Sequence, residues 1–464
     1  MTLRKVILVG LVVFSLVAVV SAAPKVKLVF SDWHLTEPHW EQALKEAFGL
    51  FEVKYPDIEI ELDYVSYAEK EVKYITAIEA GTGPDVMHLH AYSLPMFIGK
   101  GYLYDITDFI EAEDPTWYGA PFTDAWFSEP LKLMQRDGRF YALPGDFMAM
   151  VLIYNSKLFE EAGLDPDKPP RTWDEFLEYA KKLTRDRDGD GVIDTWGFGT
   201  IGAISPGFEL RFTPVLFSHG GDYLTPDYKC SALNTPEAKE AFKFFVELFT
   251  VHKVIPPGVT AQHPGTVREQ MAGEKIAMLL GSGWTAPIVD KINPELNAFE
   301  VLRAAPVPVK KLEWQDPEKL PYRTTAWLSS WVINKNTKHP EEAWILLKFI
   351  TDKPQEEKWF RDARVLSSRR DVSSPGFEYE GKTIVGYNEL LYDKFASVIA
   401  AELSRAKFVP QIVEWPQIIE TINIAAQEGF TGAKTPMEAL EDAYNRINEI
   451  LAPRRAPGEE CPPF

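Results

Sequence analysis

Thr82-Gly83-Pro84-Asp85-Val86-Met87-His88-Leu89-His90 decides the fold, because this stretch closes a strand-helix-strand unit that begins directly behind an export signal. Upstream of it, Lys25 to Phe30 reads as a first strand in which Val26, Leu28 and Phe30 alternate with lysines, and Ser31-Asp32-Trp33-His34 follows as a loop. From Trp40 the apolar positions Ala43, Leu44, Ala47, Phe48 and Phe51 recur at helical spacing, stopping before Tyr55-Pro56-Asp57. Ile58, Ile60, Leu62 and Tyr64 then alternate with Glu59, Glu61 and Asp63, the period of a half-buried strand. The resulting β-α-β-α-β order predicts right-handed crossovers and a mostly parallel sheet, with ligands bound outside the carboxyl ends of the strands. Trp33, His34, His90 and Tyr92 fall at those ends.

Arg4 and Lys5, an apolar run from Val6 to Val20 and the small residues Ser21-Ala22-Ala23 make residues 1–23 a secretory signal. The run is too short for a retained span, and no cysteine follows it for lipid attachment, so the expectation is a free periplasmic protein. A length of 464 residues exceeds one typical core and predicts two lobes. The net charge of -19, more negative once Arg4 and Lys5 leave, argues against nucleic acid as a partner. Cys230 and Cys461 are the two cysteines; in an oxidising compartment they either pair, tying down the Pro-rich tail, or remain as thiols.

Asp137-Gly138 signals a tight turn, and Leu143-Pro144-Gly145-Asp146 precedes a near-continuous apolar strand from Met148 to Tyr154, where the chain is expected to cross between lobes. Helix starts are marked by the capping box Thr172-Trp173-Asp174-Glu175, by Thr235-Pro236 and by Thr435-Pro436-Met437-Glu438. Gly273 to Leu280 reads as a strand that ends in the loop Gly281-Ser282-Gly283-Trp284, and Leu328 to Ile333 as another, with Trp327 just before it.

The chain resembles the family 1 extracellular solute-binding proteins, the maltodextrin-binding-like receptors that deliver sugars to ABC importers. The resemblance is carried by Ala80-Gly81-Thr82-Gly83-Pro84-Asp85-Val86, Asp137 to Pro144, Ile153 to Phe159, Pro170 to Phe176, Gly273 to Trp284, and His339-Pro340-Glu341-Glu342-Ala343-Trp344, in the family's order. It implies an α/β fold: a two-lobed periplasmic-binding-protein-like clamp, each lobe a mostly parallel sheet flanked by helices, with the solute in the cleft between lobes. On that basis residues 24–147 form the first lobe with 328–372 returning to it, 148–327 form the second with 373–452 returning, and 453–464 are a flexible tail. It also implies a monomer that serves a membrane permease and does no chemistry.

A sugar offers apolar C–H faces and a rim of hydroxyls, so its site needs aromatic platforms and directional polar groups. Trp284 and Trp415 fall where the family commonly places stacking aromatics, while Trp33, Trp327 and Tyr92 are chosen as strand-end aromatics. Asp146, His34, His90 and Tyr67 are the candidate polar rim, Asp146 because a carboxylate accepts two adjacent hydroxyls. Where the family often shows charged groups after the third strand, this chain has His90-Ala91-Tyr92-Ser93, so maltodextrin specificity does not carry over.

Asp186, Asp188, Asp190 and Asp194, with the Val192 carbonyl, match positions 1, 3, 5, 9 and 7 of an EF-hand-like loop, which would give the protein a structural Ca²⁺ and no cofactor for function. Position 12 is Gly197 instead of glutamate, and a plain Asp/Gly turn explains the same residues. Two rival functions remain. A metal-solute receptor would use His34, His39, His88 and His90, half of the eight histidines, and an exported glycoside hydrolase would pair two of the many carboxylates.

Overall fold

The alternating N-terminal segments fold as the periodicity predicts in the computed structural model, which describes residues 25–113, 121–205, 207–373, 376–379, 382–385 and 393–464; the signal expected at 1–23 lies outside them. Val26–Asp32 lies next to the edge of a six-stranded sheet, parallel to the edge strand Ile58–Tyr64 on one side and to Val86–His90 on the other. The turn that opens the decisive stretch is fastened at both ends. Asp85 accepts the Val29 N–H at 2.8 Å and the Thr337 hydroxyl, while Gly83 takes a positive φ of 113° that a side chain would strain. The helix Pro38–Lys54 buries Trp40, Leu44, Ala47 and Phe51 against this sheet, where Phe48 meets Phe30 edge-on at 4.7 Å. Burying each such aromatic contributes roughly 1.5–3 kcal/mol.

Both lobes have mixed sheets: among the described residues, three of the five strand pairings in the first are parallel, whereas two of the three in the second are antiparallel, which corrects the expectation of a mostly parallel sheet for the second lobe. Thr324–Ile333 enters the first sheet antiparallel to Val86–His90, Ala142–Ala149 pairs antiparallel with it, and Ala406–Lys407 adds a short parallel edge. In the four-stranded second sheet, Val151–Asn155 lies antiparallel to both Leu302–Ala305 and Ile276–Gly281, and only Trp196–Gly199 runs parallel. The cause is topological: strands that arrive by crossing from the other lobe need no βαβ connection and can enter in either direction. Two boundaries also differ. The strand read as Leu328 to Ile333 starts at Thr324, which places Trp327 inside it, and Ala406–Lys407 joins the first sheet although residues 373–452 were assigned to the second lobe.

Asp137 (φ 53°) and Gly138 (φ 77°) form the expected tight turn between Gln135–Arg136 and Arg139–Phe140. Pro144 and Gly145, read as a break, lie within the strand Ala142–Ala149 where its pairing with Thr324–Ile333 shifts between Leu328 and Ser330. A bulge accommodates proline's missing donor, and only glycine fits at 145, since a Cβ there would come within 2.3 Å of the Ser329 hydroxyl. Thr172, Thr235 and Thr435 each accept the backbone N–H three residues on, and Glu438 completes a capping box. Cys230 and Cys461 form a disulfide, so the tail is held to the body, with Glu459 paired to Lys229 at 2.8 Å and Phe464 against Tyr444. Among the described residues, no helix is long and apolar enough to cross a membrane.

Candidate functional site

Three parallel strands end side by side at Asp32, Tyr64 and His90, and the chain just beyond them supplies Trp33, His34 and Tyr67 to a cavity of about 520 Å³. Asp146 and Trp327 complete that wall from the antiparallel strands of the same sheet, whereas Trp284, Arg211 and Arg268 reach the cavity from the other lobe. Trp284 follows the second-lobe strand Ile276–Gly281 and meets Trp327 edge-on at 5.9 Å, so the ring contact bridges the two lobes. The shape and lining suit a ligand with flat apolar faces and polar edges.

Asp146 is oriented by its own sheet. Its carboxylate accepts the Trp327 indole N–H at 3.1 Å and the Ser329 hydroxyl, which leaves its remaining lone pairs to face the cavity. Behind Trp33 lies a buried polar cluster. Asp32 accepts the His34 backbone N–H at 2.9 Å and lies 3.0 Å from Nδ1 of His88, whose ring is stacked between Trp33 (4.2 Å) and Trp331 (3.7 Å). Burial opposes ionisation of Asp32, but the His88 and His34 rings outweigh it and hold its carboxyl well below the usual carboxylate range. Burial also disfavours the His34 cation, yet the adjacent Asp32 carboxylate raises its pKa, while His88, for which burial wins, is shifted down. Lys70, fully buried, donates to the Tyr67 carbonyl at 2.9 Å, pairs with Glu71 and lies 4.2 Å from the centre of the Tyr67 ring. Its pKa is lowered by burial.

The structure brings together Trp33, His34, Tyr67, Asp146, Trp284 and Trp327 around one cavity. It does not bring His90 or Tyr92 to the surface of that cavity: His90, with its pKa driven well below the ordinary value by burial, is held at 2.6 Å from the Tyr92 hydroxyl and supports the Trp327 ring edge-on from behind. Trp415 is a correction. It opens the helix Trp415–Thr431 and is 0% exposed, packed edge-on against Tyr223 in the second-lobe core, because the residues beside it, Ile412 and Ile418, are also buried. Sequence reading missed Arg211, Arg268, Glu37 and Lys70. Arg211 did leave a signal, as the one cation of Glu209–Ser218, a helix that, apart from Glu209, is otherwise apolar or carries small hydroxyls and is buried on every side.

Of the proposed calcium ligands, Asp186, Asp188 and Asp190 present oxygens within 4.8 Å of one another. Asp186 also accepts the N–H groups of Gly189 and Gly191, and those bonds hold its carboxyl below the ordinary carboxylate value. Asp194 accepts the Arg187 N–H at 2.7 Å. At Gly197 a Cβ would fall 2.1 Å from the Ala180 carbonyl, so a glutamate at position 12 could not be accommodated. Of the four histidines weighed for a metal solute, His34 and His88 share Asp32, His90 faces Tyr92, and the His39 side chain lies outside the described residues.

Two lobes crossed more than once by the chain, with one cavity walled by both, define an interlobe receptor. Residues 36–357 match the family of bacterial extracellular solute-binding proteins, and the chain belongs to that family. Among its relatives are a binding protein of Brucella abortus (24% identical, over 96% of this chain and 97% of that one) and the erythritol/L-threitol-binding protein of Mycolicibacterium smegmatis (23%; 81% and 77%). A solute-binding protein from Thermotoga lettingae bound with α-D-tagatose superposes with a TM-score of 0.77 at 27% identity over 92% of this chain and all of that one. Maltose-bound MalE3 from T. maritima superposes with a TM-score of 0.75 at 24% identity over 92% and 100%. These similarities favour neither the metal-receptor nor the hydrolase reading.

Proposed function

We propose that the protein captures a carbohydrate between its lobes and hands it unchanged to the permease of an ABC importer. One observation carries this: Trp284 from one lobe and Trp33, Tyr67 and Trp327 from the other converge on a single cavity that also holds the Asp146 carboxylate. Indole faces stack on C–H faces, and a carboxylate fixed by two donors accepts hydroxyls without reorganising. A cavity of about 520 Å³ has room for more than one sugar ring, which supports an oligosaccharide. Among the relatives, an arabinooligosaccharide-binding protein from Halalkalibacterium halodurans is 22% identical over 72% of this chain. The protein acts in the periplasm after losing residues 1–23, as a monomer whose lobes close about the crossing segments.

The test is a thermal-shift and calorimetric screen of the mature protein against mono- and oligosaccharides, since a ligand that binds only the folded state raises the melting temperature. A sugar that raises it in the wild type and not in Trp284→Ala supports the reading. Release of reducing ends on long incubation would replace it with hydrolysis. The Asp186-Asp188-Asp190 loop takes a structural Ca²⁺ on the same proposal, supported by three convergent carboxylates and weakened by the absent position-12 ligand.

A further inference from the structure

Arg211 and Arg268 face the cavity with their hydrogen-bonding capacity largely unspent. Arg211 is 5% exposed; among the described residues its one hydrogen bond runs from Nη1 to the Gly207 carbonyl at 3.3 Å, and its Nε has no partner. Among the described residues, no carboxylate oxygen forms an ion pair with it: Glu209, two residues earlier, accepts the Gly207 N–H, and burial raises the pKa of its carboxyl, which favours the neutral form. The Nε of Arg268 is likewise buried without a partner among the described residues, and Glu37 across the cleft forms only a long ion pair with its Nη1 at 3.8 Å, beyond hydrogen-bond reach. The two cations also repel each other; burial first, and then the charge of Arg268, bring Arg211 down to about 10. Asp146 does not relieve them, since its bonds go to Trp327 and Ser329 on the opposite wall.

A buried guanidinium without a counter-ion is costly, and its planar fork of donors matches a carboxylate or a phosphate in bidentate fashion. Sugar hydroxyls would satisfy the donors and leave the charge uncompensated. We infer that the solute is an acidic carbohydrate, whose anionic group is held by Arg211 and Arg268 while its ring faces lie against Trp33, Trp327 and Trp284. The inference rests on the reading of the cavity as a carbohydrate site. The anion can be the carboxylate of a uronic acid or a phosphate ester, and the geometry serves both.

Calorimetric titration of the mature protein decides among them, with galacturonate di- and trisaccharides and glucose 6-phosphate as acidic probes, and uncharged maltotriose, cellobiose and glucose as their neutral counterparts. The expected result is at least tenfold tighter binding of an acidic probe than of a neutral one of equal length, weakening as salt is raised. The uronides and the phosphate ester identify the source of the charge by which of them binds. Arg268→Gln, at a partly exposed position, should lose at least tenfold on the acidic probe. Arg211→Met should abolish the preference and raise the melting temperature of the ligand-free protein, the reverse of what loss of a structural ion pair would do. Equal or tighter binding of the neutral sugars overturns the acidic assignment and leaves the carbohydrate receptor standing. Failure of every sugar, charged or neutral, overturns both.

Discussion

Glu356 offers a sharp test of the electrostatics beneath the site. It lies in the first turn of the helix Lys353–Ala363, 2% exposed, with Oε1 buried and unpartnered. Arg369, the cation whose charge favours its ionised form, is committed bidentately to Asp371 at 2.9 and 2.8 Å. Burial therefore pushes the Glu356 carboxyl up from 4.5 to about 8. Because the folded state keeps its proton over a range in which the unfolded chain has lost it, stability falls as pH rises from 4.5 towards about 8, and none is lost below 4.5, where both states are protonated. Each pH unit in that window costs about 1.4 kcal/mol, so the whole window costs about 5 kcal/mol. Glu356→Gln keeps the shape and removes the titration. Urea midpoints measured at several pH values from about 4 to 9 should show the variant matching the wild type at the acid end and exceeding it progressively above, by several kcal/mol at the alkaline end. A variant less stable than the wild type at alkaline pH would mean that Glu356 is ionised and paired with Arg369, and the reasoning would fail.

The disulfide closes a sequence separation of 231 residues, for which the chain-entropy argument gives about 5 kcal/mol as an upper bound. Reduction should lower the urea midpoint and open Arg454 and Arg455 to trypsin, whereas two free thiols in the unreduced, denatured protein would refute the pairing. Trp415→Ala should cost about 3–5 kcal/mol of stability through the cavity it leaves, with sugar affinity unchanged. Trp284→Ala should do the opposite, weakening sugar binding by about tenfold with a smaller effect on stability, and calorimetry on both variants checks the contrast. For the acidic loop, Ca²⁺ should raise the melting temperature of the wild type and not that of Asp188→Ala; no shift in the wild type would leave the loop a plain turn.

Much of this site could be read from sequence because the decisive geometry is local. Where strands are parallel, their carboxyl ends lie together, so Trp33, His34 and Tyr67 converge as soon as the β-α-β-α-β order is recognised. Asp146 is legible from the lobe crossing and Trp327 from its place at the edge of an apolar run, although neither the bulge that aims Asp146 nor the full extent of the strand that contains Trp327 has a sequence signature strong enough to place it. Trp415 went wrong for a different reason: the first residue of an amphipathic helix faces core or cleft according to how the whole helix is rotated, and that is set by packing against Tyr223, nearly two hundred residues away in the chain. Arg211 is marked as the one cation of its helix and Arg268 has no such signal, but nothing local shows that the two share a cavity, because long-range folding alone brings them together. Strand direction in the second lobe was unreadable for the same cause, since an apolar run such as Val151–Asn155 is buried whichever way its neighbours run.

The two walls of the cavity differ in a way that bears on how a solute would be held. On the first lobe the rings and the Asp146 carboxylate are fixed from within, although Oδ2 of Asp32, Nδ1 of His34 and Nε2 of His88 and His90 are buried without hydrogen-bond partners among the described residues. Asp32 locks His88 between Trp33 and Trp331, Trp40 stacks on His34 at 4.4 Å, Lys70 sits over Tyr67, and Asp146 is gripped by Trp327 and Ser329. Such a wall is preorganised: its rings are fixed before any ligand arrives, so little entropy is lost when one stacks there. On the second lobe Arg211, Arg268 and the Trp284 indole N–H retain buried donors without acceptors among the described residues. A ligand laid on the first-lobe wall meets the Asp146 carboxylate first and gains the donors of Arg211, Arg268 and Trp284 when the lobes come together. Closure therefore adds a second set of hydrogen-bonding contacts, and with it further discrimination between solutes, to that of first contact.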